Sequence, residues 1–159
     1  DEAFDARLLL AELQAREHSA SGLREELSRL YTLERLPRRH RAKLAKRLGD
    51  LARAEGAYAS AIQWYDEAVQ LLPSQRGEVF YRMASCYEEA GDIEVAITWY
   101  QRISQLPWRI RGQLAAAKLL ERQGRVDEAR VLYERLTHEP IPEAKVVQER
   151  LAALHRQAR

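Results

Sequence analysis

Three copies of one motif, a glycine followed five residues later by alanine and nine residues later by tyrosine, recur at near-constant intervals in this chain. The glycines are Gly56, Gly91 and Gly124, the alanines Ala61, Ala96 and Ala129, and the tyrosines Tyr65, Tyr100 and Tyr133. Successive copies lie 35 and then 33 residues apart, and each run closes on a proline, Pro73, Pro107 or Pro140. A self-repeat of this period constrains the fold more than composition does. One unit cannot bury its apolar face alone, so successive units must stack, each touching only its neighbours.

Each unit has the pattern of two short amphipathic helices. In the first, Leu44, Leu48 and Leu51 recur at helical spacing. Gly56 breaks the run, and Ala61, Tyr65 and Ala68 with Ile62, Val69 and Leu72 form a second apolar stripe. Glycine ends a helix because it enters positive φ without a Cβ penalty, and a turn of two or three residues then sends the next helix back antiparallel. The alanines belong where two helix axes come close, and the tyrosines in the wider gap beside them.

This order of leucine, small residue, glycine, alanine, tyrosine and proline resembles the tetratricopeptide repeat family, built of helix-turn-helix units of about 34 residues. The resemblance implies an all-α fold, a right-handed α-solenoid of antiparallel helix pairs wound as a TPR-like superhelix. Three units follow the pattern, at 42–75, 77–107 and 110–140. Their first small site holds Gly49, Ala84 and Ala117; the last holds Ala68 but then the bulkier Ile103 and Leu136. Residues 7–37 fit a degenerate repeat, with Leu10, Leu13, Leu23, Leu27, Leu30, Leu33 and Leu36 apolar, Pro37 closing it and Glu26 where an alanine belongs. Beyond Pro140, Pro142 suits a first helical turn and Val147, Leu151, Leu154 and Ala158 share one face, so 142–157 is expected as a C-terminal capping helix. The whole of 1–159 then forms a single domain. Leu8, Leu9 and Leu10 have no polar cap before them, which fits further structure upstream or a homo-oligomer formed through the N-terminal helices.

Composition enters as a set of exclusions. With 46% apolar and 31% charged residues the chain can bury a core, which excludes disorder. The lone Cys86 permits neither an internal disulfide nor a cysteine-ligated zinc. No apolar run approaches the ~20 residues that span a bilayer. The reading is a soluble chain; the resemblance suggests cytoplasmic scaffolds and bacterial cell-envelope assembly as two settings, so cytoplasm or periplasm. The chain starts at Asp1 rather than methionine, as a processed or excised piece would.

Catalytic signatures fail. His18, His40, His138 and His155 are scattered without ligand spacing, and no GxxxxGK[ST], GxGxxG or GxSxG motif occurs. Glutamate pairs such as Glu88 and Glu89 are about 100° apart on a helix and are expected to face water. The chain is therefore expected to be no enzyme and to need no metal or cofactor. Cys86 reads as a small apolar filler. Trp64 and Trp99, each directly before a signature tyrosine, read as a seam between neighbouring repeats, and Trp108 as a staple or an exposed anchor.

Charge is the sharpest feature after the repeat. Arg35, Arg38, Arg39, Arg41, Lys43, Lys46 and Arg47 are seven cations with no acid between Glu34 and Asp50. Arg39, Lys43, Lys46, Asp50 and Arg53 fall within about 80° of helical arc, opposite Leu44, Leu48 and Leu51. In the family that the chain resembles, the first helix of each repeat lines a concave groove that holds a peptide segment. By that resemblance the groove shows Lys43, Lys46, Asp50 and Arg53, then Glu78, Tyr81, Ser85 and Glu88, then Arg111, Leu114, Lys118 and Glu121. Some members grip a terminal carboxylate through paired asparagines, but this chain contains no asparagine. The implied function is a scaffold that binds a partner protein or peptide, such as an acidic segment, within a larger assembly. The alternatives are a nucleic-acid contact through the basic stripe, disfavoured by a net charge of +2 and by the absence of aromatics among those cations, or a structural self-association module.

Overall fold

The computed structural model describes residues 4–6, 8–10 and 20–157. Leu13, His18 and Ala158, named above, lie outside these. The described residues are helical apart from short connections, and the chain divides into two compact units, Asp1–Val79 and Phe80–Arg159.

In the first unit, residues 4–6 and 8–10 are helical, followed by α1 (Ala20–Tyr31), α2 (Arg38–Ala54) and α3 (Tyr58–Leu71). A single 3-10 turn, Pro73–Gln75, leads into α4 (Arg76–Ala90), whose first residues complete the unit. Leu8, Leu27, Leu30, Leu44 and Leu48 form its core, with Phe4, Tyr31 and Trp64 packed against it. The α2–α3 pair closes on small residues. Ala45, Ala52, Ala61 and Ala68 are all buried, with Tyr65 between them. Leu8 is buried, whereas Leu9 and Leu10 are 57% and 54% exposed.

The second unit holds the rest of α4, then α5 (Ile93–Arg102), α6 (Trp108–Arg122), α7 (Val126–Thr137) and α8 (Ala144–Gln157). Its core is continuous from Ala84, Ala96 and Tyr100 through Ala117, Leu120, Ala129 and Tyr133 to Val147 and Leu154. α8 begins at Ala144, two residues after the expected 142; Pro142 stands in the turn just before it, closed by the Ala144 N–H on the Ile141 carbonyl at 3.1 Å, and Ile141 is buried. Bulky Ile103 is not carried on α5. It leaves the helix with φ −70°, ψ 117° and is buried. α6 then approaches the end of α5 so closely that a Cβ on Gly112 would lie 2.6 Å from the Tyr100 carbonyl oxygen.

The repeated glycines perform the same local task in all three turns. Gly56, Gly91 and Gly124 have φ of 74°, 89° and 74°. At each, the glycine N–H donates three residues back and the next N–H donates five residues back, as in Ala57 to the Ala52 carbonyl at 2.8 Å. That is a Schellman closure, which satisfies the last carbonyls of the helix and reverses the chain.

Candidate functional site

The signature tyrosines are almost fully buried, yet each hydroxyl finds an acid on the first helix of its own pair. Tyr65 donates to Asp50 Oδ1 at 2.8 Å, Tyr100 to Glu88 Oε2 at 3.0 Å and Tyr133 to Glu121 Oε2 at 3.1 Å. Burial, with the neighbouring acid, pushes the Tyr100 and Tyr133 hydroxyls well above the ordinary tyrosine range. They therefore remain donors at any physiological pH. The two glutamates also reach forward: Glu88 accepts from Arg122 at 3.2 Å and Glu121 from Arg150 at 3.3 Å. The second unit thus contains the same tyrosine–glutamate–arginine relay twice. Glu88, expected to face water, is half-buried in this relay.

Beside the first relay lies a cleft of about 540 Å³. Five residues expected to line a groove meet there: Tyr81, Glu88, Arg111, Leu114 and Lys118. Tyr100, Arg122 and Glu143, which sequence reasoning did not assign to a site, also border it. Ser85 does not reach the cleft. It is buried, bonded to the Tyr81 carbonyl and the Tyr100 hydroxyl, both at 3.0 Å. Trp108 lies 5.4 Å from the Tyr81 ring, and the Arg111 guanidinium sits 4.8 Å above Trp108. That cation–π contact holds Arg111 at the cleft edge.

The first unit has a smaller cleft of about 360 Å³, which collects Arg39, Lys43 and Lys46 with Asp5 and His40. Its cations already have partners. Lys43 pairs with Asp5 at 2.6 Å and Lys46 with Glu78 at 3.1 Å. The Asp5 carboxyl is held below its usual range by the Lys43 hydrogen bond. Elsewhere in the stripe, Arg38 donates to the Gln70 carbonyl at 3.3 Å and Arg41 to the Leu33 carbonyl at 3.1 Å. Arg35 and Arg47 are exposed, while Asp50 and Arg53 are half-buried.

The tryptophans divide. Trp64 packs edge-on against Tyr31 of α1 at 5.2 Å, the expected seam. Trp99 instead packs within its own helix pair, against Phe80 at 5.0 Å and Tyr87 at 6.3 Å, with Arg102 over its ring. Cys86 is a buried filler.

The family profile for the tetratricopeptide repeat matches residues 78–106 and 112–139. The chain carries tetratricopeptide repeats. Solved structures with this fold include nearly identical TPR-like repeats of a kinesin-light-chain-type protein from Podosopora anserina, with a TM-score of 0.68 and 18% identity over 97% of this chain and 86% of that one. BtubC from P. vanneervenii aligns with a TM-score of 0.66 and 18% identity over 94% and 70% of the two chains. The Arabidopsis OM64 TPR domain gives 0.56 and 19% over 73% and 98%. The chain is also 29% identical over 94 residues to lipopolysaccharide assembly protein B of Haemophilus influenzae. That match takes in 58% of this chain and spans about a quarter, 24%, of the relative's length. The fold is an all-α tetratricopeptide solenoid of antiparallel helix pairs, generally a non-catalytic one, and such repeats imply a protein–protein interaction scaffold. Among the described residues no helix is long and apolar enough to cross a membrane. Nor, among them, does any group of three or more His, Cys, Asp or Glu side chains stand close enough to hold a metal ion.

Proposed function

We propose that the chain is a non-enzymatic interaction module whose second-unit cleft holds an acidic segment of a partner protein within a larger assembly. The observation that carries this reading is the pair Arg111 and Lys118. Both are exposed on the cleft wall, and among the described residues neither is paired with an acid. Leu114 between them and Tyr81 opposite give the cleft an apolar floor, so a carboxylate bound there is partly shielded from water. Charge-assisted hydrogen bonds in such a setting contribute about 1.5–3 kcal/mol each. The preformed wall also avoids ordering costs of about 0.5–1.5 kcal/mol per side chain. The reading is favoured over nucleic-acid contact through the basic stripe because six of those seven cations are engaged in contacts within the fold.

The test is site-specific. A photo-crosslinking amino acid at Ala115, on the cleft wall, should attach in the native source to a protein segment rich in aspartate and glutamate, identified by mass spectrometry. The same group at exposed Val131 on α7 should not capture that segment. Capture of only neutral or basic segments at position 115 would remove the proposal.

A further inference from the structure

Three cations stand in one row on α6. Arg111, Lys118 and Arg122 are separated by seven and four residues, which at 100° per residue confines them to about 40° of arc. At 1.5 Å per residue they are spaced about 10 and about 6 Å along the axis. The shorter interval matches the roughly 6.6 Å between same-side residues of an extended chain. A segment with acids at alternate positions can therefore place neighbouring carboxylates on Lys118 and Arg122.

The three cations are not equally available. Arg111 rests on Trp108, and Lys118 has no described acid within reach. Arg122 is occupied: Glu88 accepts its guanidinium at 3.2 Å while being held on its other oxygen by the Tyr100 hydroxyl at 3.0 Å. The remaining described acid on the cleft is Glu143, which is exposed. Glu88 thus offers Arg122 the same chemical group that an acidic partner would bring, tethered within the molecule.

We infer that Glu88 is a built-in competitor: an acidic, extended partner segment binds Arg111 and Lys118 directly and gains Arg122 only by displacing the Glu88 carboxylate. The inference rests on the acidic-segment reading above and adds a brake to it. The brake is mild, because Arg122 is 66% exposed and its pair with Glu88 is open to water and screened by salt. Displacement leaves Glu88 hydrogen-bonded to Tyr100, so the core is undisturbed.

The probe is a fluorescein-labelled peptide of alternating glutamate and alanine, titrated by anisotropy against the full chain, with alternating glutamine and alanine as reference. The wild-type protein should prefer the glutamate peptide. Arg111→Ala with Lys118→Ala should weaken it about tenfold or more, and Glu88→Gln should tighten it about threefold to tenfold. Glutamine retains an acceptor for Tyr100, so the fold should hold, as a thermal melt would verify. Adding Arg122→Ala to Glu88→Gln should abolish the gain. If the wild type prefers the glutamate peptide and loses it in the Arg111/Lys118 variant, yet Glu88→Gln binds no tighter, the competitor is overturned while the acidic-segment reading stands. If neither wild type nor Glu88→Gln distinguishes the two peptides, both fall. A second readout uses the wild-type protein alone: at saturation with the glutamate peptide, the NMR signals of the Arg122 guanidinium and the Glu88 carboxyl should both move. An unmoved Arg122 signal overturns the inference even if Glu88→Gln fails to fold.

Discussion

In the first unit the signature tyrosine meets its acid fifteen residues back, at Asp50; in the second unit both tyrosines meet theirs twelve residues back, at Glu88 and Glu121. One helical turn separates the two arrangements. When the acceptor is the short aspartate, the ring is drawn over the neighbouring position, and a Cβ on Gly49 would lie 2.6 Å from the Tyr65 ring. When the acceptor is a glutamate a turn further on, the equivalent positions accommodate Ala84 and Ala117, both fully buried. The residues fifteen back are then released from the tyrosine's acid requirement: Ser85 is tucked under Tyr100, and Lys118 faces the cleft with no acid paired to it among the described residues. A buried hydroxyl must have an acceptor, but two positions can supply it. In the last pair the one that does not, Lys118, faces the cleft.

Truncating the ring should show the largest effect. Tyr65→Ala and Tyr100→Ala each remove a buried aromatic and should cost about 3–5 kcal/mol in denaturant unfolding. If either cost falls below 1 kcal/mol, the tyrosine is no keystone of its pair. Next, Gly49→Ala should destabilise by about 1–3 kcal/mol through overpacking against Tyr65. Moving the acid, with Asp50→Ser and Arg53→Glu added, should recover part of that loss, and strict additivity of the three changes would break the coupling argued here. Ala96→Leu, at the close contact of α4 and α5, should cost a similar amount through overpacking, about 1–3 kcal/mol. Removing the hydroxyl alone is smaller. Tyr133→Phe should lose about 1–2 kcal/mol, with a larger loss than an Arg125→Ala change, whose exposed pairs with Glu94 and Glu128 sit in solvent.

The smallest effect is a pH slope. Tyr31, half-buried and donating to Glu67 at 2.7 Å, is raised by burial and then by that acid to about 12, from an ordinary 10.0. A proton held more tightly in the folded state contributes stability that is complete below pH 10 and is lost as pH climbs toward 12. Tyr100 and Tyr133 act in the same direction. Alkaline unfolding curves for Tyr31→Phe should therefore be flatter than wild type across that window.

The turns and the close contacts were legible because they depend on local conformation. The glycine nine residues before each signature tyrosine marks where positive φ is needed, and Gly56, Gly91 and Gly124 supply it. Alanines 61, 96 and 129, read as close-contact residues, are fully buried. Partners of the tyrosines were not legible. Which row of a neighbouring helix lies under a hydroxyl depends on the register between helices, and no spacing within one helix reports it. For that reason Asp50, Glu88 and Glu121 were expected to face a ligand, although each is held by a tyrosine. Ile103 illustrates a second limit: a bulky residue at a close contact was visible in the sequence, but not that α5 would stop before it. Tyr81, Arg111, Leu114 and Lys118, all expected in a groove, do line one cleft.

Arg150 on α8 does for Glu121 what Arg122 on α6 does for Glu88. α8 therefore imitates the leading half of a hairpin, presenting to the hairpin before it the same guanidinium that α6 presents to Glu88. An array made this way can be lengthened by duplication at Pro140 without inventing a new junction, since the acceptor already standing at Glu121 suits either successor.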